Sequence, residues 1–293
     1  MRLQCVASRL DSGFKSIEKI VTAKYSLDRA SVVITGASAG LGVEFARQLA
    51  PRVNSILLVA RREAALNAVR EELLQFHPCL KVSICPADVS TPAGRRLIVE
   101  AIQRDRCPVN LLINNAGLGD YGSFETAAPE RVQEQIDVNI TGLVQLTHAL
   151  LPMLKQHQPA GILNVSSLAG TLPLPDMAIY AATKAFVTSF SDALRIELLD
   201  EGVHVTALCP GPTPTSFSQT ARRVAGEDTN RAGQGFLRQS NTRVVADGLA
   251  ALERGAATIY PGWGVAISGI MFRMMPAWLR RKLLARRWRK TRS

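Results

Sequence analysis

The chain has 293 residues, 47% of them hydrophobic, and a formal net charge of +11. That length and apolar content suffice to bury a sizeable core in one α/β domain. The five cysteines, Cys5, Cys79, Cys85, Cys107 and Cys209, are odd in number and follow neither C-x-x-C nor zinc-type spacing with the histidines. This excludes a structural zinc site and fits reduced thiols in the cytoplasm.

The charge is local: residues 255–293 hold nine Lys and Arg and no Asp or Glu, leaving the preceding chain close to neutral at +2. No run of eighteen uncharged apolar residues exists, and the longest candidate, residues 262–272, is too short to span a bilayer. Asp11, Lys15, Glu18 and Lys19 interrupt the first thirty residues, which therefore lack the apolar stretch of a secretory signal. They read as an N-terminal extension of unknown role, helical in part over residues 13–27.

From residue 31 onward, short β-branched runs alternate with amphipathic segments. The runs are V-V-I-T (32–35), I-L-L-V-A (56–60), V-S-I-C (82–85), L-L-I-N (111–114), I-L-N-V-S (162–166), V-H-V-T-A-L (203–208) and T-I-Y (258–260). Helical periodicity lies between them at 41–50, 63–76, 92–105, 129–157, 178–200 and 243–254. Seven strands joined by six crossovers predict a single-domain, doubly wound parallel sheet with helices on both faces, over residues 31–262. Residues 212–242 break this rhythm and read as a loop over a substrate site.

The first strand runs into T-G-A-S-A-G-L-G, which contains Gly36, Ser38, Gly40, Leu41 and Gly42 and opens a helix. Glycines at such a turn let the backbone approach a pyrophosphate, which then sits at the positive end of the helix. The spacing G-x-x-x-G-x-G matches neither the G-x-G-x-x-G fingerprint nor the P-loop. At the end of the second strand, where an NAD enzyme would hold a carboxylate on the ribose, this chain has Arg61 and Arg62. A guanidinium pairs with a 2′-phosphate through charged hydrogen bonds, so NADP(H) is expected over NAD(H).

Tyr180 and Lys184, in Y-A-A-T-K, lie four apart on a predicted helix and so share a face. Taken with T-G-x-x-x-G-x-G, N-N-A-G at 114–117, Ser167, and P-G at 210–211, they resemble the short-chain dehydrogenase/reductase family over residues 31–262. The resemblance implies a Rossmann-like fold and hydride transfer between a nicotinamide dinucleotide and a carbonyl or alcohol carbon. It places Asp88 and Val89 at the adenine, and Asn115, Ala116 and Gly117 beside the ribose. Asn139 is matched to the active-site Asn that positions a water, and Pro210, Gly211 and Thr213 or Thr215 to the carboxamide contact, with Thr215 at the usual spacing. Of two adjacent serines, the family's thirteen-residue spacing before the Tyr selects Ser167 over Ser166. It also implies a homo-oligomer paired through the helices at 129–157 and 178–200.

The chemistry asks for these residue types. Reducing a ketone requires a proton at oxygen as hydride reaches carbon, and a phenol near pKa 10 is slow to exchange it in both directions. The ammonium of Lys184 and the positive nicotinamide ring are expected to lower that pKa, Lys184 also to grip the ribose, Tyr180 to act as general acid or base, and Ser167 to bond the developing oxyanion. Both Tyr180 and Lys184 are present, which favours an enzyme over a silent dinucleotide sensor or scaffold.

The expected substrate is a small hydrophobic carbonyl or alcohol: lipid-like, retinoid, steroid or fatty acyl. Residues 263–279 are expected to cap the substrate pocket or form a dimer face. From Arg280 the basic segment suits an anionic membrane surface, giving a cytoplasmic protein with peripheral membrane contact. Nucleic acid ranks below both, because no recognised binding module is present.

Overall fold

The computed structural model describes residues 25–106, 108–213, 221, 223 and 237–292. Its strands are β1 (Ser31–Thr35), β2 (Ser55–Ala60), β3 (Lys81–Pro86), β4 (Leu111–Asn114), β5 (Ala160–Val165), β6 (Val203–Leu208) and β7 (Thr258–Ile259). They form one seven-stranded parallel sheet, as the alternation of runs predicts, in the order β3-β2-β1-β4-β5-β6-β7. Every residue of β1, β2, β4 and β5 is buried, so these strands read as continuous apolar runs rather than as alternating ones.

Helices cover both faces. On one side α1 (Gly40–Leu49), α2 (Glu63–Phe76) and α7 (Asn241–Glu253) bring Phe45, Leu49, Leu66 and Val244 onto the sheet. On the other, α3 (Pro92–Asp105), α5 (Leu143–Gln156) and α6 (Ala178–Glu197) supply Ile98, Leu146, Leu150 and Leu194. Each such side chain, removed from water, contributes about 1.5–3 kcal/mol towards the cost of ordering the chain.

Two elements differ from the sequence expectation. The helix predicted over 129–157 is divided into α4 (Pro129–Ile136), a wide π-type turn (Asp137–Gly142), and α5. The wide turn passes the end of β3 at Gly142, where a Cβ would lie 2.8 Å from the Val89 carbonyl oxygen. Among the described residues, packing of the core also extends ahead of residue 31, to Tyr25. Tyr25 and Leu27 are fully buried, and the Tyr25 hydroxyl donates to the Asn110 carbonyl at 3.2 Å. Of the helix expected over 13–27 only residues 25–27 are described, and they are not helical.

The sheet order reverses direction between β1 and β4. The β3, β2, β1, β4, β5 and β6 ends face one edge in register, with Thr35 opposite Val59, Asn114 opposite Asn164, and Val165 opposite Leu208. Ligands bind in the crevice outside the carboxyl ends of the strands at such a switch point. Beyond β7, α8 (Trp263–Met274) and α9 (Ala277–Arg292) complete the described chain.

Candidate active site

The glycine turn joins β1 to α1 in a backbone geometry that side chains would block. Gly36 and Gly40 have φ of 66° and 57°, in the left-handed region. A Cβ on Gly42 would fall 2.2 Å from the Gly36 carbonyl oxygen. Helix α3 begins on Thr91, whose hydroxyl accepts from the Gly94 amide at 3.0 Å, and α7 begins similarly on Ser240. Helix α1 begins on Ala39, without a side-chain cap, so its first amides and its positive dipole end face the crevice beside Leu41 and Ser38. A cradle closed to side chains and lined by uncapped amides fits a pyrophosphate.

The N-N-A-G segment brackets this turn to β4. Thr35 Oγ1 accepts from the Asn115 and Ala116 amides at 3.0 Å each, while Asn115 Nδ2 donates to the Thr35 and Gly36 carbonyls at 2.9 and 3.2 Å. At the adjoining strand ends, Arg62 Nη2 reaches Ser38 Oγ at 3.3 Å. Arg61 turns the other way, to Glu134 at 3.2 Å and Asp88 at 3.9 Å. The two arginines therefore divide, with Arg62 on the glycine turn and Arg61 on α4. Asp88 Oδ1 accepts from the amide and hydroxyl of Ser90 at 2.9 and 2.7 Å, which fixes the β3 end next to buried Val89.

Helix α6 carries the reactive pair. Its inward stripe is Tyr180, Thr183, Lys184, Val187, Ser191 and Leu194, with its polar groups concentrated at the crevice end. Tyr180 and Lys184 are both buried, and Lys184 Nζ lies 5.8 Å from the Tyr180 ring centroid. Nζ donates to the Val165 carbonyl at the end of β5, at 2.8 Å. Gly117 closes over the pair: a Cβ there would be 3.3 Å from Lys184 Nζ and 3.4 Å from Asn139 Oδ1.

Asn139 sits in the wide turn and is almost fully buried. Its Oδ1 accepts from the Leu118 amide at 2.8 Å; its Nδ2 donates to the Leu118 carbonyl at 2.8 Å and to Thr183 Oγ1 at 3.0 Å. Both N–H donors are thus committed to joining the segment after β4 to α6. The water that the sequence reading assigns to Asn139 can meet only its remaining oxygen lone pair or its main-chain carbonyl.

The two serines have different surroundings. Ser166 is buried, and its hydroxyl bonds the Lys184 carbonyl and Thr188 Oγ1, at 2.7 Å each. Ser167 is half-buried, accepts from the Ala169 amide at 3.1 Å, and hydrogen-bonds Tyr180. At the end of β6 the Pro210 carbonyl accepts from Leu168 N at 2.8 Å, and Gly211 packs on Val265. Thr213 follows on the same rim; Thr215 lies outside the described residues, as does most of the segment expected over 212–242.

Burial dominates the electrostatics of the reactive pair. Burial pushes the Tyr180 phenol well above its ordinary pKa, and the Ser167 hydrogen bond pulls against that shift. Burial acts on Lys184 as well: its pKa is lowered to about 8. A desolvated ammonium is itself destabilised, and burial holds the phenol neutral. The Ser167 hydrogen bond favours the phenolate.

Sequence reasoning missed a buried polar ladder behind this site. Asn114 Nδ2 donates to Thr147 Oγ1 and Asn164 Oδ1, at 2.9 Å each, and Asn164 Nδ2 donates to Ser191 Oγ at 2.9 Å. The available signal was an Asn in each of two otherwise apolar strands. Also missed was a socket near the site. Arg223 pairs with Asp120 at 2.5 Å and donates to the Ser123 carbonyl and Thr126 Oγ1 at 2.9 and 2.7 Å. The Tyr121 amide beside it donates to the Ala221 carbonyl at 2.8 Å.

Comparison with known proteins agrees with this geometry. The family model described as short chain dehydrogenase matches residues 30–225. A sulfoacetaldehyde reductase of Chromohalobacter salexigens is 37% identical over 78% of this chain and 88% of its own. The NADPH complex of a Sphingobium yanoikuyae short-chain dehydrogenase aligns with a TM-score of 0.72 at 30% identity, covering 85% of this chain and 97% of that one. A Burkholderia phymatum short chain dehydrogenase/reductase in complex with NAD aligns with a TM-score of 0.74 at 25% identity, over 84% and 94%. The family match spans more than half of the chain, from β1 through the Tyr180 helix and past β6, and the chain belongs to the short-chain dehydrogenase family, as an oxidoreductase.

Proposed function

We propose that the protein is an NADP(H)-dependent reductase of hydrophobic ketones or aldehydes, able to oxidise the corresponding alcohols. The observation that carries this reading is the cluster of half-buried Ser167 with buried Tyr180 and Lys184, with Asn139 tying α6 to the segment after β4. NADP(H), when bound, would supply or accept the hydride.

The residues divide the rest of the work. The uncapped start of α1 and the turn through Gly36, Gly40 and Gly42 hold the pyrophosphate, and Arg62 with Ser38 receives the 2′-phosphate. Arg61 contributes charge from the next position, and Asp88, Val89, Asn115, Ala116 and Gly117 line the nucleoside. Pro210, Gly211 and Thr213 or Thr215 meet the carboxamide. Lys184 grips the ribose hydroxyls in place of the Val165 carbonyl.

In reduction, Tyr180 gives its phenolic proton to the carbonyl oxygen as the carbon accepts hydride, and an alcohol results. Ser167 donates to that oxygen as charge develops, an interaction stronger in the transition state than in the ground state. A neutral phenol is the form needed for this direction, which fits the upward push from burial.

Arg223, the guanidinium docked beside Tyr121, is engaged by Asp120 within the protein. Assembly through α5 and α6 is supported by exposed Phe186 and Ile196 on α6. A panel of fatty acyl, retinoid, steroid and small aromatic carbonyls, with sulfoacetaldehyde as the charged comparison, tests the reading by loss of NADPH absorbance. Turnover confined to sulfoacetaldehyde would defeat the substrate assignment.

A further inference from the structure

Helix α8 buries only one of its faces. It packs on the body through Val265, which is buried, and Gly269, where a Cβ would lie 2.8 Å from the Tyr260 ring. The opposite side exposes Trp263 by 68%, Ile267 by 57%, Ile270 by 55%, Met271 by 48% and Met274 by 80%. Positions 263, 267, 270, 271 and 274 repeat at helical spacing, so these side chains form one continuous apolar stripe. Exposed Trp278 extends it across the turn at Met275 and Pro276 into α9. Contiguous apolar surface of this kind on a folded domain marks a contact site.

The charge beside the stripe narrows what can cover it. Arg281, Lys282, Arg286, Arg287 and Arg289 of α9 are all exposed, and no Asp or Glu occurs anywhere in residues 255–293. Arg280 is set apart from them: its Nη1 donates to the Thr171 carbonyl at 3.2 Å, anchoring the start of α9 beside the Ser167 segment. A two-fold contact with a second copy through this face would set each cationic helix near the other, and like charges oppose such pairing. An anionic bilayer complements both parts at once. Apolar side chains enter the headgroup and acyl boundary, and each nearby Lys or Arg is attracted by the surface potential. Among the described residues no helix is long and apolar enough to cross a membrane, so the geometry is that of a helix lying in the interface.

We propose that α8 and α9 together dock the protein on an anionic lipid surface, α8 by inserting its stripe and α9 by pairing with headgroups. This goes beyond the proposed reaction and does not depend on it. The Arg280 to Thr171 contact places the docking face next to the catalytic rim, so a hydrophobic substrate could enter from the bilayer.

The test is co-sedimentation of the full chain with phosphatidylserine-rich vesicles and with pure phosphatidylcholine vesicles. Two variants accompany it: Ile270→Asp with Met274→Asp, and Arg281→Glu with Arg286→Glu and Arg287→Glu. Preferential binding to the anionic vesicles, weakened by salt and reduced roughly tenfold or more in each variant, is the expected result. All of these positions are exposed, so retained thermal unfolding and NADPH binding show that the variants are folded. Equal binding to both vesicle types overturns the proposal. So does undiminished vesicle binding by the stripe variant, and if that variant also turns from dimer to monomer, the stripe is a subunit interface.

Discussion

Lys184 Nζ stands 5.8 Å from the centre of the Tyr180 ring, and both side chains are buried. Helical spacing brings them together, but proximity alone does not make the phenol acidic. Burial penalises both charged forms, raising the pKa of Tyr180 and lowering that of Lys184 to about 8.

A pH dependence follows from Lys184. Its folded pKa lies below the ordinary value of 10.5, so the ammonium is progressively lost above about pH 8. If the charged form grips the ribose, kcat/KM for NADPH, which reports the free enzyme, should fall above about pH 8. The stability effect has the opposite sign. The unfolded chain binds the proton more tightly, so this group's contribution to stability rises from about pH 8 towards 10.5. A Lys184→Met variant should lose both dependences; a pH profile unchanged in the variant assigns them elsewhere.

Cofactor choice should rest on Arg62 more than on Arg61, because Arg62 faces Ser38 of the glycine turn while Arg61 is engaged with Glu134 and Asp88. Losing a charged contact to the 2′-phosphate costs about 1.5–3 kcal/mol, or roughly tenfold to a hundredfold in KM for NADPH. Arg62→Ala is expected to show that loss with KM for NADH little changed, and Arg61→Ala a smaller one. Steady-state kinetics with both cofactors decides it.

The adjacent serines should separate stability from activity. Ser166→Ala removes the partner of the buried Lys184 carbonyl and of Thr188, at a cost of about 1–3 kcal/mol in unfolding free energy. Ser167→Ala should leave the urea midpoint nearly unchanged and lower kcat by about 10²–10³, as for loss of an oxyanion donor. Denaturant titration and turnover on the same preparations test the division.

Arg223 and Asp120 form the shortest ion pair among the described residues, at 2.5 Å, with Asp120 buried. Arg223→Met leaves that carboxylate unpaired, which should weaken docking at the socket by up to about 3 kcal/mol. The expected kinetic outcome is a raised KM for the carbonyl substrate with KM for NADPH unchanged. Equal rises in both would place the socket's role in the fold as a whole.

The fold was legible because its signals are local and repeated. Buried parallel strands write themselves as apolar β-branched runs, and the doubly wound parallel sheet followed from their alternation with helices. The site was legible where one residue type at one spacing has a chemical reason, as at Tyr180 and Lys184 or at the glycine turn. What was illegible depends on which way a side chain turns. Arg61 and Arg62 are neighbours with the same chemistry and take opposite partners, and the break at Gly142 depends on its approach to Val89, fifty-three positions earlier in the chain. Asp120 and Arg223, 103 residues apart, carry no pattern that pairs them.

The central claim is that Tyr180 delivers the proton. The most direct measurement is single-turnover reduction by the Tyr180→Phe variant, with NADPH binding measured on the same sample. The account predicts a fall in rate of about 10²–10⁴ with NADPH affinity within a few-fold of the parent, since the phenylalanine keeps the packing and loses only the hydroxyl. An undiminished rate in a variant that still binds NADPH would contradict it.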